Sequence, residues 1–207
     1  AQVITVDRGR TLCRIASGQL VSAMKARELG KNSVVVGDLV NIVGDVSGDT
    51  GSLARIVAVQ PRRNSLSRTI DDAGAFEKTI AANLDQMIIV AASADPSPRQ
   101  GFIDRCLAVA FDQGIKPIIV MSKADLADPD EFLSAYKDLE VEYLKLKRGD
   151  DLTQLHKILE AKVSVLIGHS GVGKSTLVNA LLGIEKRDTG DVNLTTGRGR
   201  HTSSSAI

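Results

Sequence analysis

Aromatic side chains are nearly missing from this 207-residue chain, which has no Trp, two Tyr and four Phe. Residues 1–75 contain none at all. That argues against a front surface that stacks bases on aromatic platforms; any nucleic-acid contact there must rest on Lys, Arg and backbone. Cysteine is as scarce. Cys13 and Cys106 stand far apart without metal-ligand spacing. Each reads as a small buried hydrophobe rather than a disulfide partner or nucleophile, which fits a reducing cytosol. No apolar run approaches the length of a membrane span. The N-terminal Ala1-Gln2-Val3-Ile4 lacks the basic-then-apolar pattern of a signal segment, and Ala1 in place of Met reads as a processed start.

Net charge is also small, +1, but unevenly placed. Residues 1–68 carry ten Lys/Arg against five Asp/Glu, whereas residues 69–207 carry sixteen against twenty. A basic front joined to a mildly acidic remainder suggests a polyanion contact at the front, with a solvated basic face as the plain alternative. With 43% hydrophobic and 25% charged residues, the chain has the composition of a soluble globular protein with room for one or two domains.

Residues 1 to about 60 read as short strands separated by turns: Val3–Val6, Thr11–Ile15, Val34–Val36, Leu39–Val43 and Leu53–Val59. That spacing predicts a small antiparallel barrel of the oligonucleotide-binding (OB-fold) type, with an SH3-type barrel as rival. Pro61–Arg68 reads as the link out of the barrel, and Arg62, Arg63 and Arg68 as candidate phosphate contacts or a solubilising linker. Asp71–Gly74 reads as a turn. From about residue 84 the pattern changes. Gln86–Ala92 and Lys116–Met121 are continuous apolar runs, as buried parallel strands show. Helical spacing covers 102–113, 129–137 and 152–161, with a strand over 141–146. Strands alternating with helices predict a parallel sheet covered on both faces.

Two motifs carry the chemistry. Gly168-His169-Ser170-Gly171-Val172-Gly173-Lys174-Ser175-Thr176 fits G-x-x-x-x-G-K-[ST], with an apolar strand before it and helical spacing over Leu177–Gly183 after it. Glycines let the backbone N–H groups approach phosphate oxygens, the helix N-terminus adds unpaired donors, Lys174 reaches the β and γ phosphates, and the Ser175 hydroxyl can ligate Mg²⁺. Strand 116–121 ends in Ser122-Lys123-Ala124-Asp125, which resembles the guanine-reading Asn-Lys-x-Asp of GTPases. There the Asp carboxylate accepts from the base N1–H and amine, and the Lys stem lies over the ring. Ser122 departs from the usual Asn. The plain alternative is a surface turn with Asp125 capping a helix.

The order of the motifs is the decisive feature. The base motif precedes the phosphate loop, and Thr195–Ser205, containing Gly199-Arg200-His201-Thr202, follows it as a switch-like stretch. Together with Val36-Gly37-Asp38, Pro61-Arg62-Arg63, Leu66-Ser67-Arg68 and Ala81-Ala82-Asn83-Leu84-Asp85, this resembles the small ribosomal subunit-dependent GTPase family RsgA, whose GTPase motifs are circularly permuted. The resemblance implies an OB-fold RNA- and ribosome-binding domain over 1–68 and a circularly permuted P-loop GTPase domain over 69–207. It implies hydrolysis of GTP to GDP and phosphate during late maturation of the small subunit. Expected partners are that subunit and 16S rRNA, acting as a cytoplasmic monomer without a membrane. It further implies Ser122, Lys123, Ala124 and Asp125 on guanine, residues 168–176 on the phosphates, Lys174 and His201 in catalysis, and Ser175 with Thr202, or Ser203, on Mg²⁺. The family continues into an Asp-x-Pro-Gly switch and a zinc-binding C-terminal domain, neither of which stands in this sequence, so zinc is not expected here. Two readings compete. One is an ATP-driven transport subunit, against which the Leu-Ser-Gly-Gly-Gln signature is missing; the other is a nucleotide-sensing RNA-binding module without turnover.

Overall fold

The computed structural model describes residues 1–7, 9–30, 33–70, 76–183 and 203–205. It divides into two compact units, one holding Ala1–Leu84 and the strand at 203–205, the other beginning at Asp85. The expected turn at Asp71–Gly74 lies outside the described residues.

In the first unit, β1 (Gln2–Asp7), β2 (Arg10–Arg14), β3 (Leu20–Lys25), β4 (Val40–Gly44) and β5 (Ala54–Val59) join the short C-terminal β12 (Ser203–Ser205) in one mixed sheet. Its order is β12-β1-β2-β3-β5-β4, with β3 parallel to β5 and every other pair antiparallel. The pairing leaves two ends, β12 and β4, rather than a closed ladder. A bridge from Gln2 to Leu39 and bonds from the Val3 amide to the Asp38 carbonyl and the Val40 amide to the Ala1 carbonyl, both 2.8 Å, bring β1 to the start of β4. Buried residues alternate along β2, β3 and β5, as a one-sided sheet requires. Val3, Cys13, Val21, Ala23, Val40 and Ile56 form the fully buried centre of this core.

Two sequence expectations change here. Leu20–Lys25 is a strand although its Ala, Met and Lys favour helix; pairing with β2 and β5 overrides that preference. Val34–Val36, expected as a strand, forms none: Val36 makes an isolated bridge with Ala81, and the chain turns from Val35 to Asp38, whose amide donates to the Val35 carbonyl at 3.2 Å. The fully buried Asp38 carboxylate accepts the Val35 amide at 2.8 Å and two bonds from the Arg62 guanidinium, Nε at 2.7 Å and Nη2 at 3.0 Å. Arg62 Nη2 also donates to the Ser33 carbonyl at 3.1 Å. The pairing offsets the large cost of taking a carboxylate out of water. Arg62 is thus committed to structure instead of lying free in a linker.

Of the expected link Pro61–Arg68, only residues 61–64 connect: β6 (Ser65–Ile70) begins at Ser65 and pairs antiparallel with β7 (Phe76–Ala82) in a two-stranded ribbon. Gly37 adopts φ +88°, and a Cβ there would lie 2.0 Å from the Ala82 carbonyl oxygen. Asn83 Nδ2 donates to the Gly37 carbonyl at 3.0 Å, and its Oδ1 accepts the Arg63 amide at 3.0 Å. These bonds, with the reciprocal pair between Asn64 and Leu84, anchor the ribbon's base to the turn at Asp38.

The second unit is a four-stranded, all-parallel sheet of order β10-β9-β8-β11, built from β8 (Gln86–Ala92), β9 (Lys116–Ser122), β10 (Glu142–Lys145) and β11 (Ser164–Ile167). Four helices accompany it: α1 (Gln100–Asp112), α2 (Asp130–Ser134), α3 (Thr153–Leu159) and α4 (Lys174–Leu181). All seven β8 residues are buried, as expected for a central strand covered on both faces. Ile88 and Val90 join Ile118, Val120, Leu144, Leu155 of α3 and Leu177 of α4 in one cluster. The alternate β8 residues, Met87 and Ile89, face the other way, where α1 buries Ile103, Leu107 and Ala110. No described helix is long and apolar enough to cross a membrane.

The strand order sets the site. From β8 the chain steps outward to β9 and β10, then α3 returns it across the sheet to β11 on the far side of β8. That reversal is a topological switch point, and ligands of open parallel sheets bind outside the strand C-termini at such points.

Candidate functional site: a phosphate loop and a base-reading turn

β11 ends at Ile167 and α4 begins at Lys174, so Gly168–Gly173 is the loop between them. Sequence alone explains its shape. Gly171 and Gly173 take φ +82° and +90°, which glycine adopts without the Cβ penalty. Gly168 is needed for closeness, since a Cβ there would lie 2.3 Å from the Val90 carbonyl oxygen. The loop is therefore pressed against the C-terminal end of β8. Val172 turns inward and is buried, pinning the loop to the core below. Its carbonyl accepts the Ser122 hydroxyl at 2.6 Å, while the Ala91 carbonyl lies 3.2 Å from the same oxygen. A hydroxyl has one proton, and the shorter contact takes it. Ser122 thus ties the end of β9 to the phosphate loop across β8.

Lys174 is the first residue of α4, and its Nζ donates to the His169 carbonyl at 2.5 Å. Burial lowers the pKa of this ammonium. Ser175 and Thr176 follow in the exposed first turn. His169 places its imidazole on the Phe102 ring of α1, with centroids 4.3 Å apart.

The base-reading turn follows β9. Lys123 has φ +54°, and its Nζ donates to the Asp95 carbonyl in the loop after β8. The Ala124 amide donates to the Leu146 carbonyl at 3.1 Å, and the Leu126 amide closes the turn on the Lys123 carbonyl at 2.9 Å. Asp125 is exposed, and among the described residues its carboxylate has no hydrogen-bond or ion-pair partner. It does not cap a helix: the residue preceding α2 is Pro129. Asp125 stands free to accept donors from a ligand.

Of the residues predicted from sequence, Ser122, Lys123, Ala124, Asp125 and 168–176 come together at one end of the parallel sheet. His201 and Thr202 lie outside the described residues, and Ser203 sits in β12, opposite Asp7. Sequence reasoning missed Asp95, which receives Lys123, Leu146, which receives Ala124, and Phe102. None belongs to a motif; their role comes from where the chain folds back. A cavity of about 210 Å³ behind the loop is lined by Val90, Pro96, Pro98, Phe102, His169 and Val172, among others. Another of about 370 Å³ lies at β10 and α3; its lining includes Leu146, whose carbonyl accepts the Ala124 amide.

Comparison with known proteins agrees with this geometry. A family model described as RsgA GTPase matches residues 59–207. A small ribosomal subunit biogenesis GTPase RsgA from Shewanella oneidensis is 40% identical over 184 residues, 84% of this chain and 51% of that protein. One of the same name from Chlorobaculum parvum is 32% identical over 213 residues, 99% of this chain and 67% of that protein. The crystal structure of YjeQ from Thermotoga maritima superposes with a TM-score of 0.69 at 26% identity, covering 91% of this chain and 66% of that one. YloQ, described as a circularly permuted GTPase, shares the fold with a TM-score of 0.66 at 23% identity, over 86% of this chain and 62% of that one. This chain spans about half the length of several of the curated relatives it matches. With the permuted motif order, the parallel sheet that carries it and the matching family model together, the chain belongs to the RsgA GTPase family.

Proposed function

We infer that this chain binds GTP and GDP at the switch point of its parallel sheet and, within the whole protein, hydrolyses GTP in small-subunit maturation. One observation carries the reading: Asp125 and the phosphate loop stand at the C-terminal ends of β9 and β11, on either side of β8, in permuted sequence order. Asp125 accepts from the guanine N1–H and amine, and Lys123, drawn over by Asp95, lays its stem along the ring. Ser122 acts through the phosphate loop, since its proton is committed to the Val172 carbonyl. Lys174 leaves the His169 carbonyl for the β and γ phosphates, and the free N–H groups at the start of α4 take the phosphate oxygens. The exposed Ser175 hydroxyl in the first turn of α4 would hold Mg²⁺, which would supply neutralisation of the developing phosphate charge. By family resemblance, Thr202 or Ser203 would add a ligand to the metal and His201 would orient the attacking water.

The first unit is read as an OB-fold module that meets the small subunit and its 16S rRNA through Lys, Arg and backbone. Its order β1-β2-β3-β5-β4 and the approach of β1 to β4 suit a partly open five-stranded barrel. The same reading places residues 1–68 in that module and 69–207 in the GTPase domain, in a cytoplasmic monomer.

The test is titration with fluorescent GDP and ADP analogues in Mg²⁺. A GDP preference of tenfold or more, about 1.4 kcal/mol, that collapses in Asp125→Ala is expected. Equal binding of both nucleotides, unchanged by the substitution, would sink the guanine reading.

A further inference from the structure

We propose that Phe102 is a positioning residue for the phosphate loop, acting through the His169 imidazole, which it anchors to α1. The inference rests on the nucleotide reading above and adds a residue that lies outside every motif.

The loop is pinned at two places. Gly168 lies against the Val90 carbonyl, and Val172 is buried with its own carbonyl held by Ser122. Between the pins, Ser170 and Gly171 are exposed, and His169 is the residue whose side chain reaches back to the body of the domain. Its ring meets Phe102 at 4.3 Å between centroids, with the planes at 46°. Among the described residues this is the one ring-to-ring contact the loop makes. The imidazole and the carbonyl that accepts Lys174 Nζ at 2.5 Å belong to the same residue. A ring anchored on α1 limits how far the loop backbone at His169 can shift.

The ring is not held by hydrogen bonding at Nε2, which is buried and has no partner. A buried nitrogen without a partner favours swinging out to water. Packing against Phe102, at the wall of the 210 Å³ cavity, opposes that swing. Without the Phe102 ring, the imidazole turns toward solvent, and the loop backbone at His169 is held only by the pins at Gly168 and Val172. The loop is then less preorganised for phosphate, and binding weakens. Phe102 sits in the first turn of α1, directly after the segment that contains Asp95, so the brace and the anchor of Lys123 are carried by one continuous stretch.

The experiment is a double-substitution cycle on the full chain, titrated with the fluorescent GDP analogue in Mg²⁺ well below each variant's melting temperature. Phe102→Leu is expected to weaken binding about three- to tenfold, the range an aromatic contact supplies. Phe102→Tyr keeps the ring and stays near wild type. His169→Ala weakens binding similarly, and the pair Phe102→Leu/His169→Ala is no weaker than His169→Ala alone, because one residue acts through the other. A loss caused only by poorer folding would instead follow the melting temperatures and multiply across the two sites. Multiplying effects, or Phe102→Leu within twofold of wild type, overturns the proposal. If Phe102→Leu does not melt cooperatively, Phe102→Met carries the same arm. A wild-type chain that binds GDP and ADP alike defeats the guanine reading but leaves the cycle readable on either nucleotide; one that binds neither overturns both.

Discussion

At the scale of single residues, burial decides what a side chain is for. Arg62 reads in the sequence as one of three arginines in Pro61–Arg68, yet its guanidinium closes over a carboxylate with no exposure to water. Asp38 raises the Arg62 pKa further, chiefly through their hydrogen bond. Removing one partner of a buried pair leaves an uncompensated charge. Arg62→Ala should therefore cost about 3 kcal/mol in urea denaturation, and Arg62→Lys, which keeps charge but loses the two-pronged geometry, should cost less. Cys106 shows the same principle without a partner. Burial pushes its thiol from the ordinary 9.0 up to about 11. The folded state holds its proton more tightly than the unfolded chain, so stability from this group is present below pH 9 and falls as pH rises toward 11. Cys106 and the likewise buried Cys13 should resist iodoacetamide at pH 8 in the native protein and react once urea is added, as mass spectrometry would show.

At the scale of elements, the second unit was more legible than the first. β8 and β9 announce themselves as continuous apolar runs, and α1 by its period of buried positions, because both signals are local. β3 does not. Its residues favour helix, and the strand exists only because β2 and β5, the latter about thirty residues away, supply its hydrogen bonds. Val34–Val36 misleads in the opposite direction: three β-branched residues join no strand, since buried Asp38 captures the Val35 amide and Val36 makes only an isolated bridge to Ala81. The phosphate loop was legible as a motif, but its tightness was not. Gly168→Ala places a methyl 2.3 Å from the backbone carbonyl of Val90, which cannot swing aside as a flexible side chain could. That substitution should weaken GDP binding by at least tenfold, about 1.4 kcal/mol or more, while circular dichroism still reports native helix and sheet.

At the scale of the whole molecule, each unit has its own core, and the nucleotide is expected to act on one of them. Both tyrosines, Tyr136 and Tyr143, lie in the unit that begins at Asp85, and residues 1–75 contain no aromatic side chain. Tyrosine fluorescence therefore follows the unit that carries the phosphate-loop motif selectively. GDP with Mg²⁺ at one hundred times its dissociation constant should stabilise that unit by about 2.7 kcal/mol, seen as a higher tyrosine melting temperature. Asp125→Ala should remove the shift at the same concentration, and ADP should not produce it.

The chemistry and its order are legible along the chain: glycines, lysine and hydroxyls at phosphate-loop spacing, a candidate base-reading turn placed before them, and the apolar runs that make a parallel sheet. These are properties of neighbours along the chain, and local backbone preference and side-chain type suffice to express them. Tertiary structure alone decided which polar groups remain for a ligand. Ser122 spends its proton on the phosphate loop and Arg62 is consumed by Asp38, whereas Asp125, which the sequence leaves open as a helix cap, is left free. A hydrogen bond goes to whatever partner the fold brings within about 3 Å and out of competing water. In this chain those partners lie from 24 to 50 residues away along the sequence.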